Sequence, residues 1–314
     1  MIRKSAIISI SKTELSKIER KIIKKYKPWG IILFSRNIKS SNQLINLTKD
    51  IRKLMSDKKY PIIIDEEGGS VTRLAGIIEN SYSQIFFGKI YEKNINMGKR
   101  LYINYLSSLI KEIKRLGINI NTVPVLDKIY KKTHKFLKNR CYSNNVKTIK
   151  ALGSICVSTY KKLKIGTVIK HIPGHGYANS DSHKKLPLII LKNKKLVRND
   201  FNCFKHSKSF FAMTAHVKYQ KIDKKNCTTF SKKIISEIIR KKIGFKGILM
   251  SDDLSMKALS SDLVTSAKRS LDAGCNLVLY CKGNSNESIK ILKNVPNIDY
   301  FTKKKTSQFY RFLS

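Results

Sequence analysis

The sequence lacks any apolar run of about 18 residues, which is the length that a membrane-spanning helix requires. Its first residues, MIRKSAIISISKTELSKIERK, contain a short apolar run and no small-residue cleavage site, so they do not resemble a signal peptide. The six cysteines are scattered, and no two of them form a CxxC pair. This pattern is typical of reduced thiols, so we expect a cytoplasmic protein without a membrane partner.

Acidic residues are also scarce: 21 Asp and Glu stand against 64 Lys and Arg, which gives a formal net charge of +43. Such an excess can indicate a protein that binds nucleic acid or another anionic surface. However, the lysines are spread along the chain beside abundant Ile and Asn, as AT-rich codon usage would produce, and no long block of like charges occurs. We therefore expect no specific nucleic-acid partner.

The chain also lacks a GxGxxG motif after its first apolar run, which argues against a dinucleotide-binding fold. Instead, short β-branched runs alternate with amphipathic stretches. This alternation predicts an α/β fold consisting of a single-domain (β/α)8 TIM-type barrel over residues 1–314, with a doubly wound open sheet as the alternative. The predicted strands are residues 6–10, 30–34, 61–65, 119–125, 166–172, 210–217, 247–253 and 276–280.

Polar side chains follow five of these predicted strands. Because the carboxyl ends of the strands in a parallel barrel form one mouth, we expect an active site there. The residues concerned are Asp65, Glu66, Glu67, Asp127, Lys170, His171, His216, Ser251, Asp252 and Asp253, of which Asp253 is also a good candidate for a capping residue.

The segment KHIPGHGYANSDSH, residues 170–183, contains three of the six histidines. A metal site would use His171, His175, Asp181 and His183, but histidines four residues apart share a face only on a helix. Pro173 and two flanking glycines predict a loop, so we expect no metal and no cofactor.

Acid–base chemistry fits the segment better than metal binding does. Asp181 and His183 are two residues apart, so in an extended segment the carboxylate can orient the imidazole. Asp252, at the end of a strand, is well placed to be a carboxylate nucleophile in glycosidic cleavage. The simpler interpretation of Asp181 and His183 is a salt bridge within a loop.

Four longer motifs resemble the β-N-acetylhexosaminidases of glycoside hydrolase family 3, of the bacterial NagZ type. The resemblance covers residues from about 6 to about 290, and GIILFSRNI, TVPVLD and MTAHVKY match in the expected order. The four motifs are IIIDEEGGSVTRL, KHIPGHG followed by DSH, GFKGILMSDDLSMKAL and LDAGCNLVLYC.

The resemblance implies a monomeric cytoplasmic bacterial exo-glycosidase that acts on a small sugar substrate, terminal β-1,4-linked N-acetylglucosamine of muropeptides, with retention during peptidoglycan recycling. It makes Asp252 the nucleophile and His183, oriented by Asp181, the acid/base. It assigns sugar binding to Asp65, Arg73, Arg140, Lys170 and His171. Gly174 and Gly176 would allow the loop to close over the sugar, and His175 would shape that loop.

The chain departs from the family pattern at several positions. Glu66 and Ser70 replace Gln and Arg, so we expect Glu66 to alter the charge of the pocket. RCYSNN replaces RSFGxDP, which weakens the assignment of Arg140, and Thr214 replaces a proline. The alternatives are a β-N-acetylglucosaminide phosphorylase and a non-catalytic basic barrel that binds muropeptides or nucleic acid.

Overall fold

Eight parallel strands form a closed barrel in the order β1-β10-β9-β7-β5-β4-β3-β2. The computed structural model describes residues 2–178, 186–190 and 194–314, with the backbone alone for residues 194–198. The predicted TIM-type barrel is therefore confirmed, and each of the eight predicted strands forms one strand of it. Their bounds are β1 Lys4–Ser9, β2 Pro28–Leu33, β3 Ile62–Ile64, β4 Ile120–Asn121, β5 Gly166–Ile172, β7 Phe211–Thr214, β9 Ile248–Asp253 and β10 Leu277–Tyr280.

Helices surround the barrel and bury their apolar faces against the strands. They are α1 Lys17–Tyr26, α2 Ser41–Leu54, α3 Gln84–Lys93, α4 Ile95–Arg115, α5 Lys135–Lys138, α6 Val146–Lys162, α7 Lys194–Phe204, a π-helical segment Ile234–Lys242, α8 Leu263–Ala273, α9 Ser285–Asn294 and α10 Tyr300–Leu313. Short 3-10 turns occur at Ser35–Asn37 and Thr228–Phe230. None of the described helices is both long and apolar enough to cross a membrane.

The fourth strand is shorter than its apolar pattern predicts. Pro124 has no N–H to donate to the ladder, so regular pairing with β5 stops after Asn121. The chain still runs beside β5, because the backbone N–H of Leu126 donates to the carbonyl oxygen of Lys170 over 2.7 Å. This irregular stretch brings Asp127 alongside the end of β5.

The N-terminal end of the barrel is closed by α10, which the apolar pattern does not predict. Phe309 packs edge-on against Phe211, with ring centroids 5.0 Å apart, and the indole N–H of Trp29 donates to Thr306 over 2.9 Å. These rings join the apolar side chains that fill the barrel interior. Only the opposite end of the barrel is therefore left for a site.

A small parallel sheet of β6 (Leu188–Ile189) and β8 (Lys218–Tyr219) lies outside the barrel. The apolar pattern does not predict this sheet either. Its strand β8 follows β7, so it carries Tyr219 towards the loop that leaves β5, and the hydroxyl of Tyr219 reaches the carbonyl oxygen of Gly174.

Candidate active site

A pocket of about 140 Å³ opens at the C-terminal end of the barrel. The ends of three strands contribute Asp65, Lys170 and Asp252 to its wall, and Met213 and Leu279 form apolar parts of the lining. The structure thus brings residues from distant parts of the sequence to the mouth where the strand-end rule predicts a site. His171, Arg73 and Arg140 line the same pocket.

Asp65 accepts hydrogen bonds from three groups in the pocket. The ammonium group of Lys170 lies 2.6 Å from one carboxylate oxygen, and Arg73 lies 2.8 Å from the other. The hydroxyl of Thr122 donates to Asp65 over 2.6 Å. Burial by itself would raise the pKa of Asp65, but the charges of Lys170, Arg73 and Arg140 outweigh it and hold that pKa well below its ordinary range. Asp65 is therefore ionised and rigidly held.

Glu67 is a further member of this network. The strand-end pattern places it at the mouth, but the resemblance assigns it no role. Its buried carboxylate accepts two hydrogen bonds from Arg140, both of 2.8 Å, and lies 2.5 Å from the ammonium group of Lys170. Burial favours the neutral acid, but Arg140 and Lys170 lower the pKa of Glu67. The sequence indicates that Glu67 lies near Asp65, because it follows Asp65 by two residues in the DxEGG pattern.

Arg140 reaches the pocket despite the altered sequence around it. Burial would lower its pKa, but the charges of Glu67 and Asp65 and the hydrogen bonds to Glu67 together outweigh burial and raise it, so the guanidinium stays charged. The guanidinium also lies 4.8 Å from the ring centroid of Phe136. Arg140 therefore lines the pocket although RCYSNN departs from the family pattern.

Glu66, the acid that replaces Gln in the family pattern, does not lie in the pocket lining. Its buried carboxylate turns into the following loop, where it accepts hydrogen bonds from the backbone N–H groups of Arg73 (2.6 Å) and Leu74 (2.9 Å). The side chains of Thr72 and Asn80 also donate to it. Glu66 therefore shapes the loop that presents Arg73, and it adds no carboxylate to the pocket lining.

Asp127 organises two of the histidines. One oxygen lies 2.7 Å from Nδ1 of His171, and the other accepts the backbone N–H of His175 over 2.6 Å. Burial opposes ionisation, but the interactions with His171 and His175 together outweigh it and lower the pKa of Asp127. Burial also lowers the pKa of His175 to about 4, so this imidazole is neutral at pH 7. Both histidines line the pocket.

Asp252 and Asp253 have different surroundings at the end of β9. Asp252 lines the pocket, and one of its oxygens accepts the backbone N–H of Asp253 over 2.8 Å. Asp253 also lines the pocket, but its oxygens accept the hydroxyl (2.6 Å) and N–H (3.0 Å) of Ser255 and the N–H of Cys281 (3.1 Å). Asp253 thus caps a turn, whereas Asp252 is aimed at the cavity by a rigid strand.

His216 is fully buried beside the site and is not part of the pocket lining. Its two ring nitrogens lie 2.7 Å from the hydroxyl of Thr229 and 3.1 Å from the carbonyl oxygen of Asp253. Thr214, the residue that replaces proline in the family pattern, also contacts Thr229, with 2.9 Å between the hydroxyl oxygens. The contact between His216 and the carbonyl oxygen of Asp253 holds the end of β9 on the side away from the pocket lining.

Asp181 and His183 lie outside the described residues, so their predicted acid/base role remains a prediction. The metal alternative also stays untested, because it would use both of them. Within the parts of the chain that the structure describes, no three His, Cys, Asp or Glu side chains lie close enough together to hold a metal ion.

Comparisons with known proteins agree with this geometry. A sequence profile described as the glycosyl hydrolase family 3 N terminal domain matches residues 3–306. A β-hexosaminidase of Nitrosospira multiformis is 30% identical over 291 residues, covering 91% of this chain and 82% of the relative. A β-hexosaminidase of Bordetella pertussis is 29% identical over 287 residues, covering 88% of this chain and 79% of that one.

The structural comparison leads to the same family. The crystal structure of NagZ from Neisseria gonorrhoeae in complex with N-trifluoroacetyl-D-glucosamine is 26% identical, with a TM-score of 0.87. The match covers 100% of this chain and 91% of that one. The expected resemblance to the NagZ type is thus confirmed, and the chain belongs to glycosyl hydrolase family 3.

Proposed function

We propose that this protein is a retaining exo-β-N-acetylglucosaminidase that removes terminal β-1,4-linked N-acetylglucosamine from muropeptides during peptidoglycan recycling in the bacterial cytoplasm. The observation that carries the proposal is the position of Asp252, which faces a small pocket whose wall is a network of fixed charges. A pocket of this size suits a single terminal sugar, and its charges suit the hydroxyl groups of that sugar.

The sugar-binding part of the mechanism rests on Asp65, Lys170 and Arg140. Lys170 pairs with Asp65 and Glu67, and Arg140 pairs with Glu67. These ion pairs fix the three side chains before substrate arrives, so little ordering is needed on binding. Asp65 accepts hydrogen bonds from sugar hydroxyls, while Lys170 and Arg140 donate. Arg73 and His171 complete the wall.

The chemical steps use Asp252 and His183. The Asp252 carboxylate attacks the anomeric carbon while His183 protonates the leaving oxygen, which gives a covalent glycosyl-enzyme. His183, held by Asp181, then removes a proton from water, and the resulting attack releases the sugar with net retention. An imidazole changes protonation state near neutral pH, which suits a group that acts first as an acid and then as a base.

One wall of the pocket is basic beyond the sugar-binding residues. The segment 128–140, KIYKKTHKFLKNR, contributes His134, Phe136, Leu137 and Arg140 to the lining. It carries five lysines and no acidic residue, and these lysines form no ion pair with any residue that the structure describes. None of these lysines lines the pocket, but they flank residues that do. Cations beside the pocket favour a leaving group that bears carboxylates, as the muramyl part of a muropeptide does.

The proposal is tested with 4-nitrophenyl N-acetyl-β-D-glucosaminide as substrate. The wild-type chain should release 4-nitrophenol, and proton NMR should show the β-anomer of N-acetylglucosamine as the first product. Asp252→Ala should lose at least about 10³-fold in kcat. Added azide should partly restore turnover of that variant and yield the α-glycosyl azide, which separates loss of the nucleophile from misfolding.

Further measurements distinguish this proposal from a metal-dependent enzyme, a phosphorylase and a non-catalytic binding protein. His183→Ala should be severely slowed, and EDTA should leave the rate unchanged. Formation of a sugar 1-phosphate in phosphate buffer would identify a phosphorylase instead. Binding of the substrate without turnover by the wild type would refute catalysis.

A further inference from the structure

The segment 173–178, which links β5 to the DSH motif, is held by side chains from two other parts of the fold. The hydroxyl of Tyr219, on β8, donates to the carbonyl oxygen of Gly174 over 2.5 Å. The hydroxyl of Thr133 donates to the carbonyl oxygen of Gly176, also over 2.5 Å. The segment is therefore anchored on both sides by buried hydrogen bonds to its backbone.

The two glycines in this segment are needed for close packing. A Cβ atom at Gly174, whose φ is +141°, would lie 2.7 Å from Cβ of Asp200. A Cβ atom at Gly176 would lie 1.8 Å from the carbonyl oxygen of Lys128. In this structure the backbone at these glycines therefore packs closely against Asp200 and against the segment after β4.

Asp200 is a buried acid with no part in the proposed mechanism. Its side chain is 1% exposed, and one carboxyl oxygen accepts the hydroxyl of Tyr130 over 2.9 Å. The other oxygen is buried and has no hydrogen-bond partner among the described residues. The ring of Tyr130 also packs edge-on against Tyr177, with centroids 5.1 Å apart.

The groups around Asp200 favour its neutral form. Burial raises its pKa to about 8, and the charge of Asp127 adds to this, whereas the Tyr130 hydrogen bond and Lys128 act in the opposite direction. Among the residues whose side chains the structure describes, Cys203 on the same helix and Tyr219 on β8 also interact with it. A neutral carboxyl group can pack against Gly174 without an unpaired buried charge.

We infer that Asp200 and Tyr130 are positioning residues, which fix the segment 173–178 and thereby set the place of Asp181 and His183 a few residues later. This inference rests on the proposed role of His183. Ionisation of Asp200 would place a second carboxylate near Asp127 and against Gly174, so the segment would shift and proton transfer would slow.

The test compares kcat of the wild type, Asp200→Asn and Tyr130→Phe with the aryl N-acetyl-β-glucosaminide from pH 5 to 9. Asparagine keeps the size of the side chain and the acceptor for Tyr130 but has no carboxyl proton to lose. The ratio of kcat for Asp200→Asn to kcat for the wild type should rise about tenfold between pH 7 and pH 9, as a group with a pKa of about 8 loses its proton. Groups that titrate equally in both proteins change both kcat values by the same factor, so they do not change this ratio.

Tyr130→Phe should lower kcat at pH 7 on the order of tenfold. Its inhibition constant for N-acetylglucosamine should stay within about twofold of wild type, because the charge network around Asp65 is intact. Thermal melting checks that each variant folds. A ratio that is flat with pH, together with unchanged kcat in Tyr130→Phe, would overturn the inference.

Hydrogen exchange gives a readout that does not depend on activity. Amides of the segment 173–178 should exchange faster in Tyr130→Phe than in wild type, while amides of β1 should not change. Absence of turnover by the wild type would refute the proposed function. Hydrogen exchange would still show whether Tyr130 anchors the segment 173–178. Unchanged exchange would refute the anchoring itself.

Discussion

Replacing Asp200 by asparagine should change the stability of the protein in a way that depends on pH. Burial raises the pKa of Asp200 from its ordinary value of 3.8 to about 8 in the folded state. In the unfolded chain the same group titrates near its ordinary value. The stability that comes from the neutral carboxyl group is therefore fully present below about pH 4 and is lost as the pH rises towards about 8.

The size of the effect follows from proton linkage. Between pH 5 and pH 7, folded Asp200 keeps its proton and unfolded Asp200 does not. The free energy of unfolding then falls by about 1.4 kcal/mol per pH unit through this group, or about 3 kcal/mol across the interval. Asp200→Asn has no such titration, so its stability relative to wild type should rise by about 3 kcal/mol from pH 5 to pH 7.

Urea unfolding at 25 °C, at pH 5, 6 and 7, measures this difference. Any fixed cost of the asparagine amide is the same at each pH and cancels. Asp223→Asn is the matched control, because hydrogen bonds from Ser231 and backbone N–H groups outweigh a partial burial and lower the pKa of Asp223 to about 2. Its difference from wild type should be constant over the same interval. A change of less than about 0.5 kcal/mol for Asp200→Asn would show that Asp200 is ionised in the folded protein and refute the reasoning.

Two further changes test the charge network and the basic wall of the pocket. Glu67→Gln should lower the free energy of unfolding by about 3 kcal/mol, because the buried Arg140 guanidinium loses its carboxylate partner. Urea titration at pH 7 measures this loss, and a loss below about 1 kcal/mol would contradict the expected role of the Glu67 carboxylate. The double variant K131E/K132E should lower the preference for an anionic leaving group roughly fivefold. That preference is the kcat/KM for N-acetylglucosaminyl-β-1,4-N-acetylmuramic acid divided by the kcat/KM for N,N′-diacetylchitobiose.

The two disaccharides share the same β-1,4 linkage and differ in the lactyl carboxylate, so their ratio isolates the charge of the leaving group. The control variant K303E/K304E makes the same change in net charge on exposed lysines of α10, at the opposite end of the barrel. Its ratio should equal that of wild type. An equal decrease in both variants would show an effect of net charge alone, without a role for the wall of the pocket.

Much of the site could be located from strand ends, because a parallel barrel brings them to one mouth. This reasoning places Asp65, Lys170 and Asp252 in one pocket, and the structure has them there. It could not predict where the carboxylates beside Asp65 would point. Glu66 and Glu67 are adjacent in sequence, yet one turns into its own loop and the other pairs with Arg140, 73 residues away.

The sequence by itself determined the eight-stranded barrel, the end at which its polar residues gather and the family to which it belongs. These follow from local patterns: apolar β-branched runs, amphipathic stretches between them, and motifs that stay contiguous along the chain. The tertiary structure alone decided the partners of Glu67, the burial of Asp200 under Gly174 and the closure of the barrel by α10. Each of these depends on contacts between residues far apart in the chain, which no local periodicity encodes.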